Sequence, residues 1–186
     1  MKLLAIDGGT NESACLLMQD DTEVVMGIEW FSILPNIEVL DIIRNNPALV
    51  VIEDVTHMGM PVGRDVFETV RWTGRFEQTA LDKEGEVIYI PRTQVKLNVC
   101  GTARAKDPHI RQALIDRYGG DSVAIGGKKC TTCKGKTWTG RNHDKCVECN
   151  ATGWKQKKGA LYGVSSHVWS ALAVAVTYID QSRAPS

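Results

Sequence analysis

MKLLAIDGGTNESACLLMQDDTEVVMGIEW, residues 1–30, reads as three strands joined by tight turns. Residues 3–6 are a continuous apolar run that stops at Asp7. Gly8-Gly9-Thr10-Asn11 supplies turn chemistry, since glycine and asparagine tolerate backbone angles that other residues resist. Residues 13–19 form the second strand, Asp20-Asp21 a turn, and residues 23–30 the third strand. The opening is therefore expected to be an antiparallel meander. Further on, ALVVI at residues 48–52 is apolar without alternation, the pattern of a central strand covered on both faces. It carries Glu53 and Asp54 at its C-terminal end.

Helical periodicity fills the intervals. Residues 37–44 place Ile37, Leu40 and Ile43 or Ile42 on one side, and Asn45-Asn46-Pro47 ends that helix. Residues 63–81 form a second helix, with Val66, Phe67, Val70 and Phe76 expected to face inward. A strand at 86–90 follows, then a short helix opened by Pro91 and Arg92, and a helix at 108–117 ended by Tyr118-Gly119-Gly120. A last helix, 167–179, is apolar on most sides, and Ser165-Ser166 stand where they can cap it. A meander followed by strands alternating with helices predicts a mixed α/β sheet flanked by helices.

Lys and Arg number 22, as do Asp and Glu, so net charge is zero. Its distribution is uneven. Residues 126–160 contain nine Lys/Arg against Asp144 and Glu148, or 9 − 2 = +7, leaving −7 for the remainder. An anion-binding appendage on an acidic body is the implication. No run of about 18 apolar residues occurs, so no transmembrane helix is expected, and the N-terminus lacks the features of a signal peptide. A cytoplasmic location is the default expectation.

The basic segment also holds Cys130-Thr-Thr-Cys133 and Cys146-Val-Glu-Cys149, two C-x2-C pairs twelve residues apart. That spacing points to one tetrahedral structural Zn²⁺ with four cysteine ligands; disulfides are the competing reading. His143, between the pairs, is a possible rival ligand. Trp138 and Trp154 flank the module, where they either stack on a base or cover its small core, with core packing the better bet. Cys15 and Cys100 read as buried thiols. The organisation expected is a main domain, 1–125 with 160–186, and an inserted zinc module, 126–159.

Asp7 and Glu53 each follow a strand. In an open α/β sheet, ligands gather outside the carboxyl ends of strands. Two carboxylates there can share a hard divalent cation such as Mg²⁺, the kind of ion that serves phosphodiester hydrolysis. The same residue types also serve as helix caps and turn formers.

Over most of its length the chain resembles the RuvC type of Holliday-junction resolvase and its phage-encoded relatives. The segments that carry the resemblance are Ile6-Asp7-Gly8-Gly9, Val51-Ile52-Glu53, the block GMPVGRDVFETVRWTGRFEQ at 59–78, Val95-Lys96 with Gly101, and His167 in HVWSALAVAV. The resemblance implies a ribonuclease H-like fold, a catalytic Mg²⁺ or Mn²⁺ held by Asp7, Glu53 and His167, a homodimer, and paired cuts in branched DNA. Lys96 matches a family lysine near the scissile phosphate. Arg104, Lys106, Lys128, Lys129, Lys134 and Lys136 are the further candidates for DNA contact. The family pattern has four acidic residues, two of them three apart on the last helix; here His167 and Ser170 take those places. Asp107 falls on the position of a second family lysine, with Lys106 one earlier, and Thr56 stands where an aromatic residue is usual. The cysteine pairs resemble half of the cysteine-rich domain of DnaJ, with one glycine missing from each half.

Two other classes compete. Ile6-Asp7-Gly8-Gly9-Thr10 also resembles the first phosphate loop of actin-like phosphotransferases. Those need a second such loop and a second domain, and neither is expected from these 186 residues, which show no second glycine-rich loop after a later strand. A non-catalytic DNA-binding protein of the same fold is the other alternative.

Overall fold

The computed structural model describes residues 2–19, 27–46, 49–56, 59, 61–140, 142–155 and 158–184. They fall into two compact units, Met1–Ala113 with Val164–Ser186, and Leu114–Gly163.

In the first unit, β1 (Lys2–Asp7), β2 (Glu12–Gln19) and β3 (Gly27–Pro35) form the antiparallel meander. β4 (Leu49–Asp54) lies parallel to β1, and β5 (Val87–Pro91) parallel to β4. The sheet order is β3-β2-β1-β4-β5, a mixed five-stranded sheet as the sequence implied. Part of the expected third strand, residues 23–26, lies outside the described residues. The strand itself runs on to Pro35, past the expected end at Trp30. Phe31 and Leu34 pair with Leu16 and Ser13 and so extend the ladder. Pro35 then ends it, having no N–H to donate, and starts α1 (Asn36–Asn45).

Alternation along each strand sorts the two faces. Leu4, Ile6, Cys15, Leu17, Val50 and Ile52 pack under α1 and α2 (Arg64–Leu81), against Val39, Leu40, Ile43, Phe76 and Ala80. Leu3, Ala5, Leu16, Met18 and Val51 are equally buried, and have the opposite parity. α5 (Val168–Arg183) lies across β1, β2 and β4 and touches α3 (Arg92–Cys100). Ten residues of α5 are buried, which explains why its sequence is apolar on nearly every side. α4 (Asp107–Arg117) begins in this unit and ends in the other. Among the described residues no helix is long and apolar enough to cross a membrane.

Several local expectations change. Phe67 and Val70 do not face inward; they are 55% and 46% exposed, while Thr73, Phe76 and Ala80 make the buried stripe. Phe67 precedes Phe76 by nine residues, about two and a half turns, so the two point to opposite sides. Ile37 is likewise exposed, and Val39 takes its place with Leu40 and Ile43. Ser165 and Ser166 do not cap α5 through their side chains. Ser166 adopts a left-handed φ of 47°, and the carbonyls of Ser165 and Ser166 accept from Val168 and Trp169. Cys15 is buried, but Cys100 is only partly so.

The second unit contains a π-helical turn at Asp121–Ile125 and a small antiparallel pair, β6 (Trp138–Thr139) and β7 (Asp144–Lys145). Cys130, Cys133, Cys146 and Cys149 form its own buried cluster.

Candidate active site and metal centre

The active-site candidates are built by strand parity. Ala5 and Val51 are paired across β1 and β4, and Asp7 and Glu53 sit two residues further along, on the same face. That is the face covered by α5, so both carboxylates lie at the C-terminal edge of the parallel strands and beneath the start of the last helix. Asp7 is 15% exposed and Glu53 13%.

The turn after Asp7 is held rigidly. The Gly9 N–H donates to Ser13 Oγ at 3.2 Å, and Ser13 Oγ donates to Asn36 Oδ1 at 2.6 Å. Asn36 Nδ2 donates back to the Gly9 carbonyl at 3.0 Å, and its backbone N–H to the Asn11 carbonyl at 2.9 Å. Ser13 and Asn36 are both 1% exposed, so this is a fully satisfied buried network. A Cβ at Gly9 would stand 2.2 Å from the Glu12 carbonyl oxygen, which makes glycine necessary there.

His167, the residue just before α5, brings Nδ1 to 3.1 Å from Asp7 Oδ2 and is itself exposed. The pair opens on a cleft of about 540 Å³ lined by the Gly8–Glu12 turn, Ile33 and Ser166. Arg92 stands on the other side. Its Nη1 donates to Glu53 Oε2 at 2.9 Å and to Ser170 Oγ at 3.0 Å. Its Nη2 donates to Asp107 Oδ1 at 2.5 Å. Asp7, Glu53, His167, Arg92, Ser170 and Asp107 thus form one continuous polar group.

Burial governs its electrostatics. Desolvation raises the Asp7 carboxyl above its ordinary value, opposed by His167 and Arg92. Desolvation, with the nearby Asp7 charge, pushes Glu53 up to about 7, against the pull of Arg92. Two partly desolvated carboxylates that resist sharing negative charge suit a site completed by a cation. An oxygen and an imidazole nitrogen 3.1 Å apart are donors suited to one divalent metal. Glu53 fits less simply, because Arg92 already holds one of its oxygens.

In the second unit, Cys130 Sγ lies 3.8 Å from Cys146 Sγ and Cys133 Sγ 3.7 Å from Cys149 Sγ. All four sulfurs are within 4.8 Å of one another. A tetrahedron with Zn–S bonds of about 2.3 Å has edges of about 3.8 Å, so the cluster has the dimensions of a four-thiolate zinc site. Those separations are far too long for disulfide bonds. Lys134 and Asn150, each just after the second cysteine of its pair, share left-handed φ values of 51° and 49°. His143 is not a fifth candidate ligand; its ring lies 4.0 Å from that of Trp138. Lys136 covers Trp138, and Lys158 covers Trp154, as cation–π neighbours. Among the described residues the four cysteines are the only group of three or more potential ligands gathered this closely.

No family model matches the sequence, and no curated protein matches it. Similarity appears in three dimensions. The chain is similar to the Thermus thermophilus RuvC structure, with a TM-score of 0.60 over 98% of this chain and 96% of that one, at 13% identity. It is similar also to T. thermophilus RuvC in complex with Holliday junction substrate, with a TM-score of 0.61, 98% and 95% coverage, and 14% identity. The fold is that of RuvC. The expected ribonuclease H-like architecture is therefore the observed one, and the four-cysteine cluster accompanies it.

Within the RuvC fold, the sequence-selected residues are distributed unevenly. Asp7 and His167 meet at the carboxyl end of the sheet, and Glu53 lies near enough to Asp7 for their charges to interact, but the three are not gathered as closely as the four cysteines. Lys96 lies one helical turn after Arg92 on α3 and is partly buried. Arg104 and Lys106 are exposed in the loop before α4, and Lys128, Lys129, Lys134 and Lys136 are exposed on the second unit. Arg92 is the residue that sequence reasoning missed, having been read only as the start of a helix. The available signal was its place directly after the third parallel strand, at the edge already assigned to Asp7 and Glu53.

Proposed function

We propose that this chain is a Mg²⁺- or Mn²⁺-dependent endonuclease that cuts branched DNA, Holliday junctions foremost, in recombination or replication. The observation that carries the reading is the contact of His167 with Asp7 at the carboxyl end of a RuvC-fold sheet, with Glu53 on the same face at the end of the neighbouring strand. Asp7 and His167 would hold the ion, with Glu53 beside them. A divalent ion bound there supplies an activated water and charge neutralisation at the phosphate. Lys96, near the same edge through α3, would meet the phosphate backbone, and Arg104 and Lys106 would extend that contact. The module at 126–159 would carry structural zinc and present Lys128, Lys129, Lys134 and Lys136 to DNA, which attracts such cations without regard to sequence.

Paired cuts need two active sites, so the working form would be a homodimer. Phe67 and Val70, one helical turn apart on α2 and both exposed, are apolar residues that such an assembly could cover. A catalytically silent junction-binding protein is the second reading, favoured by the hold of Arg92 on Glu53. A gel assay separates them. Four-way junctions, forks and flaps are incubated with and without Mg²⁺ or Mn²⁺, beside Asp7→Asn and Glu53→Gln. The expected result is metal-dependent cleavage of the junction by the wild type, with both variants losing at least about 100-fold in rate yet still shifting the junction. Binding without cleavage by the wild type would establish the silent reading instead.

A further inference from the structure

Arg92 is placed as a metal ion would be. It follows β5 directly, just past the pairing of Glu53 with Ile90 and Asp54 with Pro91, and so enters the site from a third parallel strand. Its guanidinium is held by three oxygens from three elements: the Glu53 carboxylate of β4, the Ser170 hydroxyl of α5, and the Asp107 carboxylate of α4. Its charge is also felt at Asp7. Guanidinium keeps its proton at any pH a protein survives, so this is a permanent positive charge fixed among oxygen donors. Ser170, moreover, is neutral and already engaged.

Charge counting limits what else can enter. Asp7, Glu53 and Asp107 against Arg92 sum to −3 + 1 = −2 when all are ionised. One divalent ion brings that to zero; a second would leave +2 in a partly desolvated edge and would compete with Arg92 for Glu53 Oε2. Hydrolytic sites with two ions place them roughly 3.5–4 Å apart and bridge them by a shared carboxylate. Here one of the two Glu53 oxygens, Oε2, is already held by Arg92, so the carboxylate cannot offer both oxygens to metal while that contact stands.

We infer that the active site takes a single divalent ion, on the Asp7–His167 side, and that Arg92 is the built-in cation in the position of a second. The inference rests on the metal-dependent reading above. It assigns Ser170 a matching role: a hydroxyl holds a guanidinium without adding the negative charge that would call for a second metal.

The test counts ions rather than cuts. The zinc-loaded full-length protein is titrated with Mn²⁺ and followed by electron paramagnetic resonance, which reads both stoichiometry and whether neighbouring ions couple. Wild type should saturate at one Mn²⁺ per chain beyond zinc, with an uncoupled spectrum. Arg92→Lys, which keeps the charge, should do the same. Arg92→Ala combined with Ser170→Asp should take up two, with a coupled spectrum. Two coupled ions in the wild type would overturn the inference and leave the metal-nuclease reading standing. No Mn²⁺ bound in the wild type would remove both. A folded double variant, its far-ultraviolet spectrum unchanged, that still binds one ion would also overturn the role given to Arg92.

Discussion

At the scale of single residues, Glu53 shows how one position links stability to chemistry. Its carboxyl is pushed up to about 7 by burial and by Asp7. An acid whose folded value lies above its unfolded value binds more protons when folded than when unfolded. Between about pH 4.5 and 7 the folded state is therefore the better proton binder, and stability falls as pH rises through that window. Ionisation of Glu53 above it costs about 3 kcal/mol in the absence of a divalent ion. Thermal unfolding in buffer without Mg²⁺ or Mn²⁺ should show this decline, and Glu53→Gln should flatten it. A slope that persists in Glu53→Gln would assign the titration elsewhere. Added Mn²⁺ should raise the melting temperature of wild type more at pH 8 than at pH 6, since the ion binds the deprotonated carboxylate.

At the scale of elements, α2 and α5 solve opposite problems. α5 is apolar on nearly all sides because the sheet and α3 both press on it, and its N-terminal end brings His167, its N-cap, and Ser170 to the site. α2 buries only the Thr73–Phe76–Ala80 stripe and turns Phe67 and Val70 outward. An exposed phenylalanine one helical turn before an exposed valine is surface that a dimer contact would cover. Phe67→Glu should convert a micromolar dimer to a monomer by sedimentation, while changing thermal stability of the subunit by no more than about 0.5 kcal/mol, as surface substitutions do. A wild type that sediments as a monomer would remove the two-site arrangement and favour single nicks.

At the scale of the molecule, two compact units depend on different sources of stability. The first has a large two-sided core around its sheet. Among its described residues the second buries few apolar side chains beyond its four cysteines, Leu114, Ile115, Tyr118, Ala124 and Leu161. On the zinc reading proposed above, metal–thiolate bonds would supply much of its folding energy. Metal analysis of protein purified under reducing conditions should find one zinc per chain. Chelation should abolish hydrogen-exchange protection in residues 126–159, leave β1 and β4 protected, and weaken junction binding about 10-fold or more as the basic surface loses its shape. Protein without zinc whose second unit is fully protected would show that the cysteines serve as ordinary core.

Much of this was legible in the chain itself. The meander, the buried central strand and the all-apolar last helix follow from periodicity, because burial on one or both faces leaves a direct trace in residue type. The cysteine spacing was equally plain, since C-x2-C pairs are the local arrangement by which structural zinc modules gather their ligands. Asp7 and Glu53 could be chosen because strand ends gather ligands, whatever the details of packing. The rest needed tertiary structure. Phe67 and Phe76 are equally apolar, and only the angle between them on α2 decides that one is core and the other surface. The Ser13–Asn36 network joins residues 23 apart through hydrogen bonds that no local pattern announces. Arg92 and Ser170 are 78 residues apart and meet only because β5 ends beside β4 beneath α5. A cation held by groups from three elements has no signature along the sequence, because the oxygens that hold it are neighbours in space alone.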